Sequence, residues 1–197
     1  MNVILLCHAA THAMKAARFP NGTEPAAHDE RAALADRFAA QNYAVISSAA
    51  AAARETAGWL TSEFDIDPAF DDIDYGRWRG HEIRTIAQQD PEGVAAWLAD
   101  MHARPHGGES IAMLAERVGE ALQRMAADAS HERCLVVTHA IVVKAALAHV
   151  RAEPLASLAK IDLAPLSAIW LEYDASRGAW SERNFDSRDR LKRIDST

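Results

Sequence analysis

Asn2-Val3-Ile4-Leu5-Leu6-Cys7-His8, near the start of the chain, is an apolar run that stops at a histidine. A run this short is typical of a strand buried on both faces of a parallel sheet. Cys134-Leu135-Val136-Val137-Thr138-His139 repeats the pattern late in the chain. Ligands bind at the carboxyl ends of parallel strands. Although a lone histidine at a strand end usually pairs with backbone groups, the repeat predicts that His8 and His139 share one site.

The length and charge of the chain limit the classes of function. A chain of 197 residues, 49% hydrophobic and 25% charged, fits one α/β domain over residues 1–197. The formal net charge of −7 argues against binding to nucleic acid or to an anionic membrane surface, which would require a basic face. An anionic ligand would therefore need a local positive site.

Cysteine use and hydropathy predict a cytoplasmic protein. Cys7 and Cys134 both fall in predicted central strands, where reduced thiols behave as small hydrophobic groups, and a disulfide between them is not expected. We find no charged segment followed by a long apolar one, and no apolar run that approaches the length of a membrane span.

The rest of the pattern alternates strands and helices, as in an α/β domain. Asp29 can cap a helix over residues 30–41, and a strand over 43–46 precedes an Ala-rich helix that Ser47-Ser48 would cap and that reaches about Glu63. Further helices are predicted over 81–88, 91–101, from Ser110 onward and over 141–150, followed by a hairpin of 168–173 and 179–183. The charged tail 186–197 is expected to fray.

A loop at residues 70–80 is unusually acidic. Asp71, Asp72 and Asp74 lie within four residues and are followed by Tyr75 and Trp78. Acidic loops are usually solvated surface. The aromatic side chains, however, would anchor this loop against the protein body, which favours a specific role for one of the carboxylates.

The ordered set of motifs resembles the histidine phosphatase superfamily, the phosphoglycerate-mutase-like group. It comprises the strand ending at His8, Ser47-Ser48, an acidic residue before Tyr75-Gly76-Arg77-Trp78-Arg79-Gly80, Gly107-Gly108-Glu109-Ser110 with Arg117, and the strand ending at His139. The resemblance implies a three-layer α/β/α sandwich on a mostly parallel sheet. It also implies phosphoryl transfer through a phosphohistidine, with no metal or other cofactor.

Matched residue by residue, the resemblance makes His8 the nucleophile, His139 the second pocket histidine and Asp72 the proton donor. This agrees with general chemistry. A neutral imidazole can act as a covalent nucleophile, and a carboxylic acid that protonates the leaving alkoxide typically contributes 10²–10⁴-fold. Positive groups would still have to hold the phosphoryl oxygens.

The chain departs from the family at the positions that bind phosphate. The arginine before the nucleophile is replaced by Cys7, and the position of a pocket arginine is occupied by Ala52. A polar residue expected one turn after the nucleophile motif is replaced by Met14. Arg54 lies two helical positions after Ala52 and would point to the opposite face. Each charge-assisted arginine contact is worth roughly 1.5–3 kcal/mol. Losing two would therefore weaken transition-state binding on the order of 10²–10⁴-fold.

Two readings follow for a small phosphorylated or anionic ligand. In the first, the protein is a weak or atypical phosphomonoester hydrolase in which Lys15 or Arg18 replaces the missing arginines, and Thr11 and Ser48 also bind substrate. In the second, it is an inactive family member that binds a small ligand or serves as an interaction surface. Mutase activity itself is not expected, because the chain is short and lacks the insertions of the longer mutases.

A metal site is a third reading, because Cys7, His8, His12, His139 and Asp72 could converge on a cation. The spacing is not that of a conventional metal motif, so no metal is predicted. The sequence leaves the oligomeric state open, a homodimer included.

Overall fold

The strand that ends at His8 lies inside a six-stranded sheet. The computed structural model describes residues 1–38, 43–128 and 130–183. Its strands are β1 (Asn2–Cys7), β2 (Ala44–Ser47), β3 (Asp65–Ile66), β4 (Arg133–Thr138), β5 (Ala168–Asp174) and β6 (Ala179–Arg183). They are ordered β3-β2-β4-β1-β5-β6. The four strands on one side, β3, β2, β4 and β1, run parallel, and the β5–β6 hairpin is antiparallel, so the predicted mostly parallel sheet is confirmed.

Helices cover both faces of the sheet. They are α1 (His12–Lys15), α2 (Arg31–Phe38), α3 (Ala51–Gly58), α4 (Ile83–Gln89), α5 (Pro91–Ala99), α6 (Ile111–Ala127) and α7 (Ala140–Arg151), with short 3₁₀ helices at Pro68–Phe70, Gly76–Trp78 and Leu155–Lys160. Because side chains alternate along a strand, Val3, Leu5 and Cys7 of β1 pack towards α6 and α7. Ile4 and Leu6 pack towards α2 and α3. The predicted three-layer sandwich is confirmed.

Several helix boundaries differ from the sequence-based expectation. Asp29 accepts a hydrogen bond from the Arg31 N–H, at the start of α2, at 2.9 Å. The predicted extension of α2 to residue 41 lies outside the described ranges. The charged tail 186–197 lies outside them as well. The Ala-rich helix occupies only Ala51–Gly58, and its N-cap, Ala50, provides no side-chain cap. The predicted Ser47-Ser48 cap was therefore wrong: the Ser48 hydroxyl accepts the N–H of Ala50 at 3.2 Å, which is one residue before the helix, and its other partners lie in the site described below.

The later elements follow the predicted pattern more closely. Ser110 caps α6 by accepting a hydrogen bond from the Met113 N–H at 3.1 Å. The predicted hairpin is β5–β6. The helices expected over 81–88 and 91–101 are observed at Ile83–Gln89 and Pro91–Ala99.

Both cysteines are buried free thiols, as expected from their positions in central strands. Burial raises the pKa of the Cys7 thiol to about 12, and the positive charge of Lys144 opposes this rise. Across residues 1–38, 43–128 and 130–183, we find no helix that has both the length and the apolar character needed to cross a membrane.

Candidate active site

Two histidine rings meet at the carboxyl edge of the sheet. In the parallel register of β1 and β4, Cys7 lies opposite Thr138, so the next residue of each strand is a histidine at the same edge. The rings of His8 and His139 lie edge to face, with centroids 4.9 Å apart and an interplanar angle of 72°. The predicted proximity of the two histidines is confirmed.

The hydrogen bonds of His8 fix which ring nitrogen carries a proton. Nδ1 lies 2.7 Å from the carbonyl oxygen of Ala9, which can only accept, so we assign the proton to Nδ1. Nε2 is then left with a lone pair. Burial and, next, the charge of His139 lower the pKa of His8 to about 4, so the ring is neutral at pH 7. A neutral imidazole with a free Nε2 is the nucleophilic form of histidine.

A serine and a carboxylate orient His139. The Ser48 hydroxyl donates to Asp71 Oδ1 at 2.8 Å, which leaves its oxygen to accept from His139 Nε2, also at 2.8 Å. Asp71 Oδ1 is held in turn by the Ala49 N–H at 2.6 Å. His139 therefore carries its proton on Nε2. Burial lowers the pKa of His139 to about 4, so this ring too is neutral at pH 7.

Asp72 lies beside the second histidine. Its Oδ2 is 3.6 Å from His139 Nδ1, and its Oδ1 accepts a hydrogen bond from the Ile73 N–H at 2.9 Å. Burial raises the pKa of Asp72 to about 6, an effect that the Ile73 N–H partly opposes. The side chain is still 21% exposed. The carboxyl group can therefore give up and regain a proton near neutral pH.

Arg117 holds the acidic loop in place. Its guanidinium donates to both carboxylate oxygens of Glu109, at 2.9 and 2.8 Å. It also donates to the carbonyl oxygens of Ala69 at 2.8 Å and Asp71 at 3.2 Å. Bidentate arginine pairs of this kind are strong and directional. Arg117 therefore fixes the backbone that carries Asp71 and Asp72.

A cavity of about 440 Å³ opens at the two histidines. Its charged lining side chains are Lys144, Glu24 and Asp72, and Lys144 is the one permanent cation among the described residues that line it. Lys144 lies on α7, five residues after His139. Its neighbours Ala140 and Ile141 on the same helix also line the cavity.

The cations expected from sequence lie elsewhere. Lys15 Nζ is 2.5 Å from His28 Nε2, and Arg18 pairs with Glu82 at 2.7 Å on the protein surface. Neither belongs to the described residues that line the cavity, and the same holds for Arg54, which is exposed. Arg18 also donates to the Gly80 carbonyl. The cationic role expected for Lys15 or Arg18 therefore has no support from their positions.

The other two expected binding residues have structural contacts. Thr11 lines the cavity, but its hydroxyl accepts the Met14 N–H and so caps α1. Ser48 is fully buried and contacts the site through His139 rather than through the cavity surface. Sequence reasoning missed Lys144 and Asp71. Lys144 lies four residues after Ala140, the first residue of α7, so helical spacing could have placed both on the face beside His139. No signal distinguished Asp71 from its acidic neighbours.

The side chains considered for a metal site are dispersed. Cys7 packs into the core between the sheet and α7, and His12 is exposed on α1. In the part of the chain that the structure describes, no group of three or more His, Cys, Asp and Glu side chains is placed to hold a metal ion.

This geometry agrees with comparison to known proteins. The model of the histidine phosphatase superfamily (branch 1) matches residues 3–186. The chain belongs to this superfamily. Among curated superfamily relatives, the Escherichia coli adenosylcobalamin/alpha-ribazole phosphatase is 25% identical over 130 residues, which is 66% of this chain and 58% of the relative. The Mycobacterium tuberculosis bifunctional protein Rv2228c is 32% identical over 105 residues, or 51% of this chain and 29% of the relative.

Solved superfamily structures share the fold over nearly the whole length. The alpha-ribazole phosphatase of Shigella flexneri has a TM-score of 0.85 at 21% identity and covers 95% of this chain and 97% of its own. Mycobacterial glucosyl-3-phosphoglycerate phosphatase, solved with VO₃, has a TM-score of 0.79 at 21% identity, with 92% and 96% covered. At this identity the likeness concerns the fold alone. The chain spans less than two thirds of the curated relatives named above.

Proposed function

We propose that this histidine phosphatase superfamily member hydrolyses phosphomonoesters through a phosphohistidine on His8. The observation that carries the proposal is the state of His8: its Nδ1–H is held by the Ala9 carbonyl, its Nε2 lone pair is free, and its lowered pKa keeps the ring neutral. Asp72 and His139 lie at the same cavity. Nucleophile and acid are thus within one small site.

The reaction has two steps. In the first, His8 Nε2 attacks phosphorus, the N–P bond forms, the ester P–O bond breaks, and the leaving alkoxide takes the proton of the Asp72 carboxyl. In the second, water attacks phosphorus, the Asp72 carboxylate takes a proton from that water, the N–P bond breaks, and inorganic phosphate leaves. His139, oriented by Ser48 and Asp71, packs edge to face with the His8 ring and so positions the nucleophile.

Lys144 is the group that we assign to bind the phosphoryl charge. It is the one permanent cation among the described residues that line the cavity, and it lies on α7, the helix that follows His139. One ammonium faces two carboxylates, Glu24 and Asp72, so the phosphoryl dianion is poorly neutralised. We therefore expect turnover to be slow compared with that of a pocket containing several arginines.

A second candidate function is that of an inactive small-ligand-binding module. It is favoured by the two positions from which arginines are missing. The Cys7 side chain packs into the core, and Ala52 contributes only a methyl group to the cavity wall. Neither position provides a positive charge for a phosphoryl oxygen.

One experiment separates the two candidates. Hydrolysis of p-nitrophenyl phosphate is measured for the wild type, for His8→Ala and for the control His12→Ala, which changes an exposed histidine of α1. We expect His8→Ala to lower kcat at least a hundredfold and His12→Ala to leave it unchanged. Quenched samples of the wild type should contain an acid-labile phosphate on His8. Equal rates for wild type and His8→Ala would refute hydrolysis through His8, and phosphate binding without turnover would favour the binding module.

A further inference from the structure

Most of the cavity lining is apolar. It includes Trp97 and Leu98 at the end of α5 and the following Met101. It also includes Ile141 of α7 and four residues of the 3₁₀ segment Leu155–Lys160, and together these residues form the apolar wall. A lining of large apolar side chains with a few polar groups at one end is the usual form of a site for an organic small molecule.

Two apolar side chains at this cavity are markedly exposed. Leu98 is 68% exposed and Met14 is 47% exposed. Single exposed hydrophobic residues are common on proteins, but these two line the same cavity as the partly buried Trp97, Met101 and Ile141. Water at this surface would be displaced by an apolar ligand, and the release of that water would favour binding.

The wall is supported from behind by aromatic packing. The Trp97 ring lies 6.1 Å from that of Tyr75 and 6.2 Å from that of Trp78, with Trp78 itself fully buried. These centroid distances are those of ordinary aromatic pairs. The Trp97 part of the apolar surface is thus held in position before any ligand arrives, which reduces the entropy that a ligand must overcome.

Charge and volume restrict what this cavity accommodates. With Lys144 opposed by Glu24 and Asp72, the lining matches a ligand that carries one acidic group and no further anionic groups. A volume of about 440 Å³ is much larger than a phosphoryl group, since a water molecule takes about 30 Å³. The remaining space adjoins the apolar wall.

We propose that the substrate is a phosphomonoester of a bulky apolar alcohol. The phosphoryl group lies at His8 and His139, the ester oxygen lies near Asp72, and the organic group packs on Leu98 and the rest of the apolar wall. The hydrolytic part rests on the function proposed above. The apolar preference rests on the cavity lining alone, so the two parts can fail separately.

The test compares ethyl, hexyl and glycerol phosphates, whose leaving alcohols have similar reactivity and differ in apolar surface. Each fully buried methylene group is expected to raise kcat/KM about fourfold. We expect hexyl phosphate to exceed ethyl phosphate by at least tenfold, and glycerol phosphate to gain nothing over ethyl phosphate. Equal kcat/KM for all three would overturn the proposal and leave hydrolysis through His8 standing.

A pair of matched variants locates the effect. Leu98→Gln adds a polar group to the wall and is expected to lower the hexyl-to-ethyl ratio at least threefold. Met113→Gln is the control, because Met113 is an exposed helical hydrophobic, 41% exposed, and is not one of the described lining residues. Both side chains are exposed, so neither change should prevent folding. An unchanged ratio in Leu98→Gln would overturn the assigned wall.

A binding measurement keeps the apolar preference independent of catalysis. Dissociation constants of hexylphosphonate and methylphosphonate, neither of which has an ester bond to hydrolyse, are measured by calorimetry. At least tenfold tighter binding of hexylphosphonate, with a smaller difference in Leu98→Gln, would support the apolar preference. It would do so even if the protein hydrolyses no ester, because the absence of turnover would refute only the hydrolytic function. Equal dissociation constants would overturn the preference.

Discussion

Replacing Lys144 tests whether one ammonium group has taken over anion recognition in this pocket. Lys144→Gln removes the positive charge and keeps most of the side-chain length. The residue lies on α7, is partly buried and lines the cavity. Because Lys144 lines the cavity and is not part of the hydrophobic core, we expect the variant to fold.

The expected loss follows from the contacts available to the anion. A charge-assisted hydrogen bond contributes roughly 1.5–3 kcal/mol net. At about 1.4 kcal/mol per factor of ten, Lys144→Gln should weaken phosphate binding roughly 10- to 150-fold. The carboxylates of Glu24 and Asp72 remain on the lining after the change. Their repulsion moves the expected loss towards the upper end of that range.

The assay is the dissociation constant of inorganic phosphate, measured by calorimetry at pH 7.5, together with kcat/KM for a phosphomonoester. Lys144→Arg should retain binding, because it restores the charge. Lys15→Gln is the matched control, since Lys15 contacts His28 and is not among the described lining residues. Phosphate affinity within twofold of wild type in Lys144→Gln, or an equal loss in Lys15→Gln, would show that the assigned cation is wrong.

Two further predictions concern the titrating groups. Asp72→Asn should lower kcat on an alkyl phosphate by about 10²–10⁴-fold. In the wild type, kcat/KM should fall as pH rises through about 6, the pKa at which Asp72 loses its proton, and this fall should be absent in Asp72→Asn. An unchanged pH–rate profile would exclude Asp72 as the proton donor. His139 has a folded-state pKa of about 4 against an ordinary value of 6.5. Between pH 4 and pH 6.5 the unfolded state therefore binds more protons than the folded state. The stabilisation associated with neutral His139 is lost as pH falls from 6.5 to 4. The free energy of unfolding of His139→Gln minus that of the wild type should therefore rise by about 2–3 kcal/mol when the pH is lowered from 7.5 to 4.5. Urea denaturation measures both values. A difference between the two proteins that does not change with pH would contradict the buried neutral state of His139.

The fold could be predicted because its central strands are unambiguous in sequence. Apart from Thr138, the runs before His8 and His139 are apolar at every position that the sheet buries, and each is too short for a helix. Helix boundaries were less well predicted. The Ala-rich segment has high helix propensity before Ala51, at Ala49 and Ala50, but tertiary contacts decide where the helix begins. The Ser48 hydroxyl, for example, bonds to Asp71 and His139 and is not placed as the helix N-cap.

The site was predicted only as far as strand ends determine it. His8 and His139 follow directly from the register of two parallel strands. The position of Asp72 could be assigned through the resemblance, but the role of Asp71 depends on the path of a loop that has no regular period. Lys15 and Arg18 are close to His8 in sequence, yet the turn after α1 directs them to His28 and Glu82. Proximity in sequence was therefore a poor guide to which cation reaches the cavity.

The missing arginines and the apolar wall have opposite effects on affinity that are of comparable size. Two lost charge-assisted contacts amount to roughly 3–6 kcal/mol, whereas each buried methylene group contributes about 0.8 kcal/mol. Four to eight methylene groups packed on the wall near Leu98 would thus offset both losses. Ala52 and Met14 replace polar groups of the resembled family with apolar surface at the same cavity. The changes that remove phosphate contacts therefore also enlarge the apolar surface. If the proposed substrate preference holds, they shift the source of substrate affinity from the phosphoryl group to the alcohol.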